Sequence, residues 1–300
     1  MTGSTHPDEQ RLQRVALATD FSTCARWAVE RVALLPLADR ALVTLVHAPP
    51  RGALATRLRG IRGDARKALE GEARALSRCL RDAGLRGVAV ETHLSAGGPV
   101  NGILETIRAQ RAELVVLGKR GAGGYARLLL GSTAERVVVQ APVASLVVGM
   151  KPRRPYRRPL LAVDPAEPWQ HVLAAARKLV VPGSGRWDVV HAYDVAFRGW
   201  IRMAEPSPKQ LAAWRDEAKA EARRRLERDV LPGLEEIPHR LLLRQGDPRH
   251  VVPMTATRQH SDVVTLGTRA RSSLGKLLLG SVAMETLRQA PCDTLVVPPG

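Results

Sequence analysis

The sequence predicts an α/β fold of two tandem doubly wound domains, each built on a five-stranded parallel sheet. The chain has 300 residues, about twice the usual ~150 per domain. It also repeats itself: VVLGKRGAGGYARLLLGSTAERVVVQAPVASLVV (Val115–Val148) aligns without gaps with VTLGTRARSSLGKLLLGSVAMETLRQAPCDTLVV (Val264–Val297), at an offset of 149 and with about half the positions identical. Within each copy, short apolar runs alternate with amphipathic stretches, as strands and covering helices of a parallel sheet do.

Earlier landmarks repeat too. Asp20 pairs with Asp164 and His47 with His191 at an offset of 144, and Gly97-Gly98-Pro99 pairs with Gly246-Asp247-Pro248 at 149. The repeating unit has domain size, so this is a duplicated domain and not a solenoid. The join, KPRRPYRRP (Lys151–Pro159), is basic and Pro-rich, as an exposed linker is. The expected domains are therefore 1–150 and 151–300.

In the first copy Arg14–Thr19 is a buried strand. Asp20-Phe21-Ser22-Thr23 supplies capping residues for a helix over Cys24–Leu35. Ala41–His47 is the second strand, Ala53–Ala83 a long Arg- and Ala-rich helix, and Val88–Leu94 an alternating third strand. Pro99–Arg108 is a helix entered through its proline, Leu114–Leu117 a strand, Ser132–Val139 a helix and Ala144–Val148 the last strand. The second copy places strands at Leu160–Val163, Trp187–His191, His239–Leu243, Val263–Leu266 and Thr294–Val297, with a long helix capped by Ser207 and starting at Pro208. Right-handed crossovers then make the layer doubly wound, and ligands of such sheets bind beyond the strands' carboxyl ends.

Composition excludes several classes. Hydrophobic residues at 45% and charged residues at 25% describe a folded chain, and aromatics at 3% leave the cores to Leu, Val and Ala. No apolar run reaches the ~20 residues of a membrane span. Met1–Gln10 is polar and carries no apolar signal segment, so a cytoplasmic location is expected. Cys24, Cys79 and Cys292 form neither a disulfide framework nor a zinc motif. The net charge of +17 favours anionic partners, but the basic residues are spread over both copies and not gathered in a tail.

The chemically informative pattern is Gly118-Lys119-Arg120-Gly121, nine residues, then Gly131-Ser132. It starts directly after a strand and ends where a helix begins. It is neither a Walker A loop nor GxGxxG. Glycines there would supply positive φ and let backbone N–H groups approach a phosphate. Ser132, with the free N–H groups of the helix start, would hold an anion, and Lys119 and Arg120 would add positive charge.

G-x2-G-x9-G-S after an apolar strand, the AP-V-x-x-L-V-V that follows, an early TDFS and an LVHA ending the second strand together resemble the universal stress protein family, over essentially the whole chain and twice. The resemblance implies sheets in the order 3-2-1-4-5 and an intramolecular pseudo-dimer in which Val143–Val148 meets Thr294–Val297, with a further homodimer open. It also implies ATP or a related adenine nucleotide as ligand, acting as a signal in a stress-response regulator. Asp20 and Ala48 would line the adenine and ribose pocket, Leu117 would pack near the base or sugar, and Gly118, Gly121, Gly131 and Ser132 would hold ribose and phosphates, with Thr19 and Thr133 as neighbours. An Asp beside a phosphate site can also help place Mg.

The second copy departs from the pattern. It reads Gly267-Thr268-Arg269-Ala270, nine residues, then Gly280-Ser281, with Ala270 for the second glycine, Ser272-Ser273 for Gly123-Gly124 and Pro165 for Phe21. Its candidates, Asp164, Ala192, Leu266, Gly267, Gly280 and Ser281, are expected to form a weaker site. His47 and His191 read as structural strand-end residues. Phe197, Trp200 and Ile201, in the inserted Ala196–Met203, read as core packing of the second domain. No nucleophile–base set appears, so hydrolysis of ATP would be slow or absent. Two other classes remain: a nucleotide hydrolase, and a module binding a partner protein, nucleic acid or anionic lipid.

Overall fold

The computed structural model describes residues 11–49, 59–121, 130–181, 183, 185–194, 207–268 and 279–299, with backbone alone over 59–63. Gly123, Gly124, Ala270, Ser272, Ser273 and the insertion Ala196–Met203 lie outside the described residues. In the first half the elements run β1 (Leu12–Ala18), α1 (Thr23–Val32), β2 (Leu37–His47), α2 (Arg59–Asp82), β3 (Ala89–Leu94), α3 (Pro99–Ala109), β4 (Leu114–Gly118), α4 (Ser132–Gln140) and β5 (Ala144–Val148). In the second they run β6 (Pro159–Ala162), α5 (Gln170–Arg177), β7 (Trp187–Tyr193), α6 (Pro208–Asp229), β8 (His239–Gln245), α7 (Pro248–Arg258), β9 (Val263–Gly267), α8 (Ser281–Gln289) and β10 (Asp293–Val297). The described helices include none long and apolar enough to cross a membrane.

The ten strands form one sheet in the order β3-β2-β1-β4-β5-β10-β9-β6-β7-β8. Each half thus has the order 3-2-1-4-5, with parallel neighbours throughout. Strand side chains alternate between two cores. Leu114 and Val116 of β4 join a cluster with Val29 of α1, Leu76 of α2, Leu173 of α5 and Leu226 of α6. Val115 and Leu117 join the opposite cluster with Ile103 of α3, Val137 of α4, Val252 of α7 and Leu287 of α8. Burial on both faces is why the strands read as continuous apolar runs.

Local chemistry sets the element ends. Ser22 Oγ accepts from Ala25 N–H at 3.2 Å to open α1. At α6, Ser207 Oγ accepts from Gln210 N–H and Gln210 Oε1 accepts from Ser207 N–H, a full capping box. β2 starts at Leu37, four residues before the expected Ala41, because the buried Leu37 pairs with Leu12 across a register shift in β1. An acid ahead of each fourth strand holds the start of each first strand. Glu113 accepts from the N–H groups of Gln13 and Arg14, and Asp262 accepts from those of Arg157 and Arg158. The two histidines behave alike as well. His47 Nδ1 donates to Thr19 O at 2.8 Å and His191 Nδ1 to Val163 O at 2.9 Å, each tying the end of a second strand to that of a first.

The halves meet where β5 and β10 pair antiparallel, with Val147 opposite Thr294, Leu146 opposite Leu295 and Ser145 opposite Val296. Beside this seam lies a buried polar network. Asp293, 1% exposed, accepts from Arg31 Nε at 3.0 Å and Tyr156 OH at 2.6 Å through Oδ2, and from Gly149 N–H at 3.0 Å through Oδ1. Arg31 also donates to Arg154 O and stacks over the Tyr156 ring at 4.1 Å. Burial pushes the Asp293 carboxyl up from its ordinary range, against the pull of Arg31 and the hydrogen bonds. Helix α1, the linker and β10 are thereby joined in one site. A second ion pair, Lys178 with Glu113, also crosses between the halves.

Candidate functional site

In the first half β1 lies between β2 and β4: the chain leaves β1 toward β2 and β3, then returns to lay β4 and β5 on its other side. The carboxyl ends of β1 and β4 therefore flank a topological switch point, where open α/β sheets hold ligands. The expected residues fall on the two loops at this point.

The turn after β1 is built tightly. Thr19 N–H donates to Val46 O, Thr19 Oγ1 accepts from Phe21 N–H, and Asp20 Oδ1 accepts from Ser22 N–H. Phe21 between them sits at φ 64°, a conformation that a residue with a Cβ seldom adopts. Its ring packs against His47, centroids 4.5 Å apart. Strain of this kind, usually about 1–3 kcal/mol, clusters at functional sites.

The glycine loop docks onto that turn. A Cβ on Gly118 would fall 2.7 Å from the carbonyl carbon of Cys24 and 2.8 Å from the Ala25 nitrogen. One on Gly121 would fall 2.6 Å from Asp20 Oδ2. Ser22 Oγ donates to Arg120 O at 3.2 Å, and Gly131 N–H donates to Lys119 O at 2.9 Å, closing the described ends of the loop on each other. Asp20, Gly118, Gly121, Gly131 and Ser132 are thus brought together. Gly131 is the N-cap of α4 and has no side chain with which to cap it, and Ser132, the first helical residue, is exposed. Thr133 follows in the same first turn. Leu117 is buried in the cluster that contains Leu130. Ala48 lies apart from the loop, against α3, where its Cβ would be 2.8 Å from a Cβ on Gly102.

Two expectations are corrected. Gly118, Gly121 and Gly131 do not use positive φ; in this region of the chain the left-handed glycine is Gly98, at φ 76°. The motif requires glycine for space and not for backbone sign. Lys119 does not face the anion site either. Its Nζ donates to Arg288 O at 3.1 Å and Ala290 O at 3.3 Å, at the carboxyl end of α8 in the other half. Burial lowers its affinity for a proton.

One residue was missed. Glu72 of α2 bonds the Thr19 side chain and lies within electrostatic reach of Arg26, Asp20 and His47, while its Oε2 is buried without a hydrogen-bond partner. Burial raises its carboxyl above the usual range. The sequence held a signal. Glu72 stands three residues after Leu69 and four before Leu76, both buried, so it occupies the apolar stripe of the helix.

The family model described as the universal stress protein family matches this chain twice, over residues 11–149 and 155–298. The chain belongs to the universal stress protein family. A 68-residue stretch is 43% identical to Universal stress protein MJ0531 of Methanocaldococcus jannaschii and covers 23% of this chain and 39% of that relative. A universal stress protein of Mycolicibacterium smegmatis is 25% identical over 305 residues, covering 94% of both chains. The crystal structure of a universal stress protein from Archaeoglobus fulgidus superposes with a TM-score of 0.69 at 18% identity, covering 97% of this chain and 98% of that one, a likeness of fold.

In the second half of this universal stress protein the candidates are arranged more loosely. Asp164 Oδ1 accepts from Ala166 N–H, and Thr268 N–H donates to Val297 O as Lys119 N–H donates to Val148 O. A Cβ on Gly267 would meet a side chain, Val172 Cγ2 at 3.2 Å, with Val297 O in ordinary contact at 4.0 Å. Leu266 is buried with Ala192 packed on the same cluster. Gly280 caps α8 without a side-chain bond, and Ser281 is exposed. Ala270 lies outside the described residues.

Proposed function

We propose that this universal stress protein binds ATP or a closely related adenine nucleotide in its first half and acts as a stress-response regulator, with the nucleotide as signal and not as the substrate of rapid turnover. The observation that carries this reading is the convergence of Asp20, Gly118, Gly121, Gly131 and Ser132 at the switch point between β1 and β4.

The chemistry follows from the parts. The uncapped N–H groups at the start of α4, with the partial positive charge of a helix N-terminus, suit phosphate oxygens. Gly121 leaves the Asp20 carboxylate room beside the loop, so that it can accept from a ribose hydroxyl or the adenine amino group. Leu117 and Ala48 are buried, so they would give the base an apolar floor and not an open face. A Mg ion would come with the phosphates, with Asp20 the nearby carboxylate. Among the described loop cations, Arg120 and not Lys119 would face a phosphate.

Equilibrium titration with ATP tests the reading. Gly121→Ala puts a Cβ against Asp20 and should weaken binding by about tenfold or more, near 1.4 kcal/mol. Ala270→Gly should strengthen any binding by the second half. ATP affinity unchanged by Gly121→Ala would remove the site assignment.

A further inference from the structure

Lys119 belongs to the first glycine loop by sequence but to the second half by contact. Its main-chain carbonyl accepts from Gly131 N–H and so helps close the loop. Its side chain runs past Gly149, where a Cβ would come within 3.1 Å of Lys119 Cδ, and ends on the carbonyls of Arg288 and Ala290. Those carbonyls terminate α8, and carboxyl-terminal helix carbonyls carry about half a negative charge. At its other end α8 begins with Gly280 and Ser281, the candidate anion-holding residues of the second half. Nine residues of helix, about 13 Å, separate the two ends.

Among the described residues the arrangement has no counterpart. The residue equivalent to Lys119 is Thr268, whose hydroxyl stays within its own half, on Val297 O at 3.4 Å. Lys119 thus reaches across to the other half and Thr268 does not.

We propose that Lys119 is a latch that couples the first glycine loop to helix α8, so that occupancy of the first site is transmitted to the helix that starts the second site. This rests on the reading of the first loop as a nucleotide site. The physical basis is a shared residue: the main chain of Lys119 helps close the loop while its ammonium holds the end of α8. A phosphate bound between Gly121 and Ser132 offers a full negative charge to the same loop, and the loop's adjustment to it shifts the ammonium on α8. A ligand with different contacts in the two states biases the equilibrium between them.

Amide hydrogen exchange on the full chain, with ATP as probe, tests this. In the ligand-free protein, Lys119→Thr, which copies the second loop, should speed exchange of the last turn of α8 (Thr286–Ala290) by about two- to tenfold, the weight of one net hydrogen bond. Lys119→Arg should restore most of that protection, and α7 should be unaffected. In the wild type, ATP should alter exchange in α8 as well as protect the described loop around Gly118–Gly121. In Lys119→Thr the loop protection should remain and the α8 response should vanish. Loop protection without an α8 response in the wild type, or an α8 response that survives in Lys119→Thr, would overturn the latch while leaving the nucleotide reading intact. Absence of loop protection would overturn the nucleotide reading. In that case unchanged ligand-free exchange of α8 in Lys119→Thr would reject the latch on its own account.

Discussion

The turn after β1 and the turn after β6 occupy the same place in two copies of one fold, and they are not the same structure. In the first copy Phe21 takes φ 64° between Asp20 and Ser22, and α1 starts at Thr23. In the second copy the equivalent residue is Pro165, whose ring holds φ near −65°. That turn cannot be repeated, and α5 starts at Gln170, three residues later than the repeat would place it. The retreat of the helix opens the floor of the glycine loop. Gly118 faces main-chain atoms of Cys24 and Ala25, whereas Gly267 faces the tip of Val172. The steric demand for glycine is thus weaker at Gly267 than at Gly118.

The comparison can be broken most forcefully at the seam, where the copies also differ. The position equivalent to Asp293 is Ala144, so the buried carboxylate of this network exists on one side of the pseudo-twofold alone. Asp293→Ala leaves Arg31 charged and buried without its carboxylate and should cost about 3–5 kcal/mol in urea unfolding. Adding Arg31→Ala should cost less than a second independent loss, since the two residues are coupled. Next in size is the glycine contrast. Gly118→Ala forces a Cβ into fixed backbone and should destabilise by about 1–3 kcal/mol, whereas Gly267→Ala, meeting a side chain that can yield, should stay below about 1 kcal/mol. Equal costs would mean that the two loops rest on equivalent floors. The smallest effect belongs to Glu72. Because burial raises its carboxyl above 4.5, the folded state favours the protonated form. That contribution is present below the unfolded value and is lost as pH rises through the raised one. Glu72→Gln should melt about 1–3 °C above wild type near pH 7, and the gap should close as the pH falls below the ordinary carboxylate range.

Much of the fold was legible because the relevant forces are local or periodic. The apolar runs mark the strands, Ser22 and Ser207 mark their helix starts, and the 149-residue offset exposes the duplication. The grouping of Asp20 with Gly118, Gly121, Gly131 and Ser132 was legible as well, since loops at a switch point must converge. The direction of Lys119 was not, because a long flexible side chain next to a glycine is equally compatible with two negative ends, and α8 lies some 170 residues away in sequence. The dihedral of the motif glycines was misread for a related reason: close packing and positive φ leave the same residue in the sequence, and only Gly98 among these loops has the second cause. Glu72 was readable from its helical stripe, but its neighbour Thr19 comes from the turn after β1, more than fifty residues earlier.

The antiparallel pairing of β5 with β10 has a consequence for how this molecule behaves in dilute solution. Two separate single-domain chains joined along such an edge would part by mass action as their concentration fell. Here both edges belong to one chain and are tethered by a ten-residue stretch between Val148 and Pro159, so that each faces its partner at a local concentration set by the tether and not by the cell. The joint persists however scarce the protein is. A chain of this design can hold its two unequal halves in fixed register at any concentration.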